Sequence, residues 1–376
     1  SEGRVTGDGY EVEMAIPFRS LRFPRKNPLT FGFNAARQVP GTGLFVSWAP
    51  ISSDSGPAIA QIGVLEGIVG IRPGRNLQVK PTVTGSRRGE RLGDGLRYAA
   101  PETRAGVSAK YGLTSSLTAD LTVTPDFSQI EADAGVVDVN SRFAIFYPER
   151  RPFFLEGSEI FRTPIEVVYT RRIADPLYGV KLTGKQRGTS IGVLQARDRD
   201  GGSAVATLPD RLNPYFGHDA SYQIVRLRQD VFENGTVGVL AGSREQLETY
   251  NRGAGLDGRF VIRDKWTLQG QGLLSWAKAR DYRTAITALT PAEDAALDGD
   301  LRGQVGQTTQ GSAWTAALDR DSRTLNTGLS ITDISPRFTA DMGFVPRTDQ
   351  IRMRAFVSPV LYARGASWYQ SFSPEI

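Results

Sequence analysis

The sequence predicts an all-β protein, an antiparallel transmembrane β-barrel preceded by the C-terminal part of a β-sandwich module. Three observations predict this fold. Apolar and polar residues alternate along many segments, polar loops of unequal length separate these segments, and no stretch approaches roughly 18 consecutive apolar residues. A membrane-spanning helix is therefore not expected, whereas β-strands can cross a membrane with a much weaker signal per segment.

The first 70 residues predict the end of a β-sandwich. The stretch "YEVEMAIPF" alternates from Tyr10 until Pro17 breaks the strand, and "LTFGFNAARQV" and "LFVSWAP" predict two further strands. A barrel-like pattern begins near Leu77, so we place a boundary near Gly70. Residues 1–70 are then the end of the sandwich with its linker, and residues 71–376 are an outer-membrane barrel that is incomplete in this chain.

Alternation with a period of two continues through the predicted barrel. In "TLQGQGLLSWA", Leu268, Leu274 and Trp276 fall on one face, and Gln271 and Ser275 fall on the other. The same pattern occurs in "RAGVSAKY", "LTADLTVT", "GVKLTGK", "TVGVLAGS" and "IRMRAFV". Each segment predicts a strand with one apolar and one polar face.

A soluble sandwich would produce the same alternation, with its apolar faces in a core. Three details favour a barrel whose apolar faces contact lipid. The polar faces are rich in Arg, Lys, Gln and Thr, and the apolar faces carry many small residues. Several aromatic residues are expected near strand ends, where a membrane interface favours them; they are Tyr111, Trp276, Trp314 and Tyr362.

Long loops alternate with short turns in the sequence. The longest loop runs from about Arg283 to Gln307, and a short helix is expected within it, beginning at Pro291. Short turns are expected at 233–235 and 263–265. This asymmetry is typical of outer-membrane barrels.

The composition excludes several classes of site. The chain has no Cys and one His, His218, so a Cys-based zinc site, a disulfide and a Cys nucleophile are impossible. The 45 basic and 40 acidic residues give a net charge of +5 without a long basic run. We therefore predict no metal, no cofactor and no nucleic-acid partner.

Four segments resemble known families: "YEVEMAIPFRSLRF", "GVLEGIVGIRPGRNLQVKP", "TVTPDFSQIEADAGVVDVNSRFAIFYPERRPFFLEG" and "RFTADMGFVPRTDQIR". The first resembles the closing strand and turn of family 9 carbohydrate-binding-like modules. The others resemble motifs of a bacterial outer-membrane family of unknown function, in which such a module precedes a β-barrel. The resemblance implies a Gram-negative outer membrane with lipid as a partner, but no reaction or substrate. Most of the module is missing, and the end "SFSPEI" lacks the usual terminal aromatic residue, so we expect a piece of a longer chain.

Residues Asp126 to Ile160 combine aromatic rings with charges of both signs. Pro148 and Pro152 bracket a Glu-Arg-Arg turn and fix its backbone. Arginine binds carboxylates bidentately and stacks on rings, and a buried network of this kind is stable only if each group has a partner. We predict that 126–160 folds into the polar interior of the barrel as a plug. The candidates for a constriction or for ligand contact are Asp126, Glu131, Asp133, Arg142, Tyr147, Glu149, Arg150, Arg151, Phe153, Phe154 and Glu156.

This cluster admits three roles: an ion-pair network that locks the barrel, a gate or ligand-contacting constriction, and a catalytic carboxylate pair. Glycoside hydrolysis needs two carboxylates roughly 5–10 Å apart. Glu149 and Glu156 could meet this, but the adjacent Arg150 and Arg151 would lower their pKa values, whereas a general acid needs a raised pKa. We therefore predict no catalytic residue. Trp48 is a candidate for stacking on a sugar ring, with packing against the protein as the alternative.

The sequence thus favours a non-enzymatic outer-membrane barrel that captures or passes a glycan-related ligand at the cell surface. A carbohydrate ligand and envelope proteins are its expected partners besides lipid. One alternative is a plugged structural or assembly component of the envelope. The other is a secreted or periplasmic glycoside-active enzyme.

Overall fold

The computed structural model describes residues 2–7, 9–18, 21, 23, 26–39, 44–51, 61–71, 77–87, 89–92, 95–125, 146–199, 210–263, 265–296, 306–363 and 371–375. Within these ranges the chain is almost entirely β-structure, as predicted. The helical elements are short: α1 (Pro152–Leu155), α2 (Arg283–Thr287), α3 (Pro291–Ala296) and three 3₁₀ turns. None of the described helices has the length and apolar character needed to cross a membrane.

The N-terminal residues form small two-stranded sheets. Strand β1 (Glu2–Thr6) pairs with β2 (Gly9–Glu13), β3 (Leu29–Phe33) with β6 (Gly63–Ile68), and β4 (Ala36–Gln38) with β5 (Phe45–Ser47). The predicted strand "LTFGFNAARQV" is thus two strands with different partners. The extended pairing is interrupted at Asn34, whose side chain accepts a hydrogen bond of 2.9 Å from the backbone N–H of Ala49. The boundary near Gly70 stays a prediction.

Twelve antiparallel strands form the main sheet. They are β7 (Gln78–Ser86), β10 (Glu102–Gly112), β11 (Leu117–Val123), β12 (Pro176–Gln186), β13 (Thr189–Asp198), β14 (Ala220–Val231), β15 (Gly235–Gln246), β16 (Thr249–Ile262), β17 (Trp266–Lys278), β18 (Thr308–Arg320), β19 (Leu325–Ile334) and β20 (Gln350–Pro359). Two hairpins lie outside this sheet: β8 (Gly89–Leu92) with β9 (Gly95–Tyr98), and β21 (Leu361–Tyr362) with β22 (Ser371–Phe372). Neighbours in the sheet follow one another along the chain, so the topology is a meander. Among the described residues β7 and β20 remain the two edges, and no pairing joins them.

The two faces of the sheet differ in chemistry and in burial. One face, called here the outer face, exposes apolar side chains at alternate positions. They include Val79, Val83, Leu121, Val180, Val225, Val237, Val239, Leu256, Leu268, Leu274, Leu329, Ile351 and Met353. The other, the inner face, is largely polar and buried; it carries Thr122, Lys181, Thr183, Ser190, Asp198, Arg226, Arg244, Asn251, Gln271 and Ser275.

The two ends of the sheet differ in the length of their connections. One end has only short turns, at 113–116, 187–188, 232–234, 263–265 and 321–324. The other end carries the long connections at 87–101, 124–175, 199–219, 279–307 and 335–349, and one two-residue turn at 247–248. The expected helix at Pro291 is present as α3. Trp314, expected near a strand end, lies in the middle of β18.

Two of the long connections cover the inner face. We call residues 146–175 the inner segment and residues 335–345 the second inner segment. The main sheet is called here the wall. One buried cluster joins its residue Leu194 and others to four residues of these segments: Phe154, Phe161, Ile173 and Met342. A second cluster joins Ile165, Val167 and Phe338 to the wall residues Leu240, Leu273, Ala313 and Ile334. The protein core therefore lies between the sheet and its own loops.

The two inner segments are joined to each other. The backbone N–H of Tyr169 donates to the carbonyl of Met342 at 2.7 Å, and that of Phe344 donates to Glu166 at 2.8 Å. The rings of Phe146, Tyr169 and Phe344 pack against one another with centroids 5.1–5.4 Å apart. These contacts make the covering of the inner face one continuous layer.

Glycines on the inner face allow this layer to approach closely. At Gly192 of β13, a Cβ atom would lie 2.8 Å from the side chain of Ile160. At Gly311 of β18, a Cβ would lie 2.3 Å from the backbone nitrogen of Phe338. A backbone atom cannot swing away as a flexible side chain can, so Gly311 is a strict requirement of the packing.

We expect Gly311→Ala to lower the free energy of unfolding by about 1–3 kcal/mol, the usual cost of overpacking a tight site. The matched control is Gly272→Ala on the neighbouring strand β17, where a Cβ would meet nothing within 4 Å. Denaturant unfolding followed by tryptophan fluorescence measures both variants. Equal stability of the two would show that the second inner segment does not pack on this face.

Candidate functional site

Arg151 is the centre of the candidate site. Its side chain is 1% exposed. Its guanidinium group donates to both oxygens of Glu149, at 2.9 and 2.8 Å, and to the backbone carbonyls of Thr170 and Ile173, at 2.8 and 2.6 Å. The ring of Phe154 lies 4.3 Å from the guanidinium carbon. Arg151 therefore ties the beginning of the inner segment to its end.

The local sequence explains this geometry. Arg151 precedes α1 with an extended backbone, and Pro152 occupies the first helical position, where its missing N–H costs nothing. The carbonyl of Arg151 accepts hydrogen bonds from Phe154 and Leu155. One oxygen of Glu149 accepts the backbone N–H groups of Arg150 and Arg151 at 3.0 and 2.9 Å, which closes the Glu-Arg-Arg turn.

The environment of Glu149 stabilises its charged form. Burial alone would raise the pKa of this carboxyl, but the hydrogen bonds and charge of Arg151 and the hydroxyl of Thr170 outweigh burial and lower the pKa below its ordinary 4.5. The Thr170 hydroxyl donates to Glu149 at 2.6 Å. Glu149 therefore stays ionised at neutral pH, which suits an ion-pair partner and not a general acid.

Lys181 of β12 anchors the inner segment to the sheet. Its ammonium group is buried and donates to the carbonyls of Phe153 and Glu156, the latter at 2.6 Å. The carboxylate of Asp120 lies 3.8 Å away and the ring of Phe153 at 5.0 Å. Lys181 thus satisfies carbonyls around the end of α1 that the one-turn helix leaves open.

A cavity of about 300 Å³ adjoins this anchor. Strands β7, β10 and β11 line one side with Lys80, Thr82, Ser108, Lys110 and Asp120, and Pro152, Phe153 and Glu156 line the other. Lys110 and Glu156 form an ion pair across it. Its donors and acceptors suit the hydroxyl groups of a polar ligand.

The structure separates the sequence-predicted residues into groups. Asp126, Glu131, Asp133 and Arg142 lie outside the described residues. Glu149, Arg151 and Phe154 share the buried network, while Phe153 and Glu156 border the cavity and Arg150 is exposed. Glu149 and Glu156 bind different cations, Arg151 and Lys110.

Tyr147 and Trp48 lie outside the buried network. The backbone N–H of Tyr147 bonds to the hydroxyl of Tyr169, which in turn donates to the Tyr147 carbonyl at 2.8 Å. Trp48 packs edge-on against Phe33 at 5.6 Å but is 63% exposed. Both the packing contact and a free ring surface are therefore present at Trp48.

Several wall residues of the site were missed from the sequence: Lys110, Asp120, Lys181 and Asp198. Asp198 accepts the backbone N–H groups of Ala174 and Asp175 at 2.9 and 2.8 Å. Their polar positions in alternating strands were the only available signal. No group of three or more His, Cys, Asp or Glu residues able to hold a metal occurs in the part of the chain that the structure describes.

Comparison with known proteins gives one family and a set of solved structures. Residues 81–190 match a domain of unknown function (DUF5916), a range that contains the whole inner segment. It leaves the N-terminal residues outside, so the carbohydrate-binding resemblance stays a prediction. No curated protein matches the chain.

The solved structures include outer-membrane OmpT of Vibrio cholerae. Membrane-expressed OmpT is 10% identical over 75% of this chain and 96% of its own, with a TM-score of 0.28. In-vitro folded OmpT in a trimer form is 9% identical over 74% and 96%, with a TM-score of 0.29. A loop-deletion mutant is 11% identical over 68% and 93%, with a TM-score of 0.27. These TM-scores are low, and the fold described above rests on the strand pairing itself.

Replacing Arg151 by Gln is expected to destabilise the protein by about 3–5 kcal/mol, because it leaves a buried carboxylate and two carbonyls without their cation. Arg150→Gln removes the same charge from the neighbouring exposed position and should change stability by no more than about 0.5 kcal/mol. Denaturant midpoints of the two variants give the comparison. Similar losses in both would contradict the central role of Arg151.

The lowered pKa of Glu149 gives a pH dependence. The stabilisation is fully present above the ordinary pKa of 4.5, and it is lost as the pH falls from there through the lower folded pKa. Unfolding midpoints of the native protein should therefore decline more steeply below pH 4.5 than those of Glu149→Gln. Parallel curves for the two proteins would show that this carboxyl does not carry the effect.

Proposed function

We propose that the chain forms a β-barrel of a Gram-negative outer membrane whose interior its own inner segments fill. The observation that carries the proposal is that the apolar face of the sheet is exposed and its polar face is buried, the reverse of a soluble protein. The apolar outer face is exposed, and the polar inner face is buried under residues 146–175 and 335–345. A soluble sandwich would bury the apolar face, whereas a membrane barrel presents that face to lipid.

The edges of the sheet add a requirement. Unpaired backbone groups on β7 and β20 would each cost several kcal/mol in hydrocarbon. A barrel in the membrane must therefore close, either by pairing β7 with β20 or through strands contributed outside this sheet. The contrast between short turns at one end and long loops at the other supports this reading, and in this proposal the short turns lie in the periplasm.

The resting barrel is closed to passive flow in this proposal. Two hydrophobic clusters and the buried Lys181 hold the inner segments on the sheet, and the pairing of Arg151 with Glu149 ties the inner segment to itself. Capture or passage of a ligand then requires part of the inner segment to move. The cavity at Lys110 and Glu156 offers polar groups for a glycan-related ligand, and its exposed ion pair is weaker than the buried one at Arg151.

The connection to the N-terminal residues favours the periplasmic side for ligand delivery. Strand β7 begins at Gln78, which pairs with Lys110 beside the 113–116 turn, so the chain enters the sheet at the short-turn end. A carbohydrate-binding unit in residues 1–70 would therefore be tethered in the periplasm. This differs from the cell-surface capture that the sequence predicts.

An enzymatic role receives no support from Glu149 and Glu156, the two carboxylates that the sequence singled out. Glu149 is held ionised by Arg151, and Glu156 is paired with Lys110. The glycoside-active alternative would need a protonated acid beside a second carboxylate. We therefore retain the non-enzymatic reading.

Fractionation of the cell envelope tests the membrane assignment. The protein, expressed with a signal sequence, should require detergent for extraction from the outer membrane and should migrate differently on a gel with and without boiling. Recovery from the periplasm without detergent would refute the barrel.

Conductance measurements test whether the inner segments block the barrel. We expect the native protein to conduct poorly in a planar bilayer, and Arg150→Ala/Arg151→Ala to raise conductance and antibiotic leakage, because the beginning of the inner segment is then no longer tied to its end. Arg150→Ala alone serves as the control and should behave as the native protein. Unchanged permeability in a correctly folded double variant would remove the gating role of this turn.

A further inference from the structure

A second cavity, of about 240 Å³, lies on the inner face near the short-turn end. It is separate from the one at Lys110. Arg162 of the inner segment lines one side, and β14, β16 and β17 contribute Arg226, Arg228, Asp257, Arg259 and Gln269. Four guanidinium groups and one carboxylate therefore face a single small space.

One of these arginines has its own partner. Arg226 is 1% exposed, and its two terminal nitrogens donate to the two oxygens of Asp257, one at 2.8 Å. The guanidinium crosses β15 at Gly238, where a Cβ would lie 2.5 Å from a guanidinium nitrogen. A glycine at position 238 therefore leaves the space that the Arg226 guanidinium needs to reach Asp257.

The other three arginines have no such partner. Among the described residues, no carboxylate forms an ion pair with Arg162, Arg228 or Arg259. Glu166 interacts electrostatically with Arg162 but does not line the cavity. The Nε atoms of Arg226 and Arg228 are buried and have no hydrogen-bond partner among the residues that the structure describes. With Arg226 and Asp257 neutralising each other, three positive charges remain in excess.

A buried donor without an acceptor is costly, so binding of an anion that accepts a hydrogen bond from it is favoured. Guanidinium groups bind the oxygens of phosphate through paired, charge-assisted hydrogen bonds, and Gln269 adds an amide donor. The volume lies below the roughly 300–1,000 Å³ of drug-sized pockets, so it suits one small anionic group. We infer that this arginine cavity is a binding site for a phosphate-class oxyanion, either free or as the phosphate of a larger solute.

The cavity lies towards one end of the strands and is accessible from outside. Arg228, Arg259 and Gln269 lie near the 232–234 and 263–265 turns, so the cavity lies closer to the short-turn end than to the end with the long connections. Arg162 and Arg259 are exposed, which leaves the site accessible. The inference does not rest on the proposed membrane function, because these residues face one another whatever covers the outer face.

Calorimetric titration of the full chain tests the site. The probes are inorganic phosphate and glucose 6-phosphate, with glucose as the uncharged control and chloride holding the ionic strength constant. We expect phosphate to bind and glucose to give no heat. Arg228→Gln and Arg259→Gln should each weaken phosphate binding about tenfold, the effect of removing one hydrogen bond between charged groups.

The matched control is Arg352→Gln, which removes one inward-directed positive charge from β20, away from the cavity. It should bind phosphate as the native protein does. Because Arg259 is exposed, its replacement leaves the fold intact and keeps the test informative if Arg228→Gln fails to fold. Binding of glucose 6-phosphate as well as phosphate would assign the site to phosphorylated solutes, and binding of phosphate alone to the free anion. Absence of phosphate binding, or equal binding by Arg259→Gln and Arg352→Gln, would overturn the inference.

Discussion

The guanidinium group of Arg151 is the contact on which the interior of this protein depends. It joins a carboxylate, two backbone carbonyls and an aromatic ring, and these belong to opposite ends of the inner segment. A chain of thirty residues with little regular structure loses much conformational entropy when it is ordered, and the contacts of Arg151 add to its apolar packing to offset that loss. Arginine suits this position because its planar fork forms several directed hydrogen bonds at once and keeps its charge when buried.

The polar inner face of the sheet follows from the same constraint. An irregular segment has backbone N–H and C=O groups that no ladder satisfies, and burial makes each unsatisfied group costly. The wall supplies the missing partners: Asp198 accepts from Ala174 and Asp175, Gln271 accepts from Ile165, and Asn251 accepts from Asp341. The polar side chains of this face therefore form hydrogen bonds with the protein's own loops. Both hydrogen bonds and apolar contacts hold the interior together.

Sequence reasoning recovered what local patterns contain. Alternation placed Leu268 and Leu274 on the exposed face of β17 and Gln271 on the buried one, and Pro291 marked the start of α3. It could not distinguish Arg150 from Arg151, because both follow Glu149 in the same turn and only the tertiary contacts with Thr170 and Ile173 separate them. It also missed Lys181 and Asp198, whose partners lie in another segment of the chain. Trp314 was misplaced because its position along the strand depends on where β18 begins.

The distribution of charge on the inner face gives the molecule a polarity along its strands. Arg151, Glu149 and Lys181 are paired within the inner segment and its anchor, so this region is electrically balanced. Towards the short-turn end, Arg162, Arg228 and Arg259 leave a positive excess in a small accessible cavity. Strand β7 also enters the sheet at that end. An anionic solute bound in this cavity would contact Arg162, which belongs to the inner segment itself. Its binding free energy would loosen that segment only if the solute binds the displaced state more tightly than the closed one.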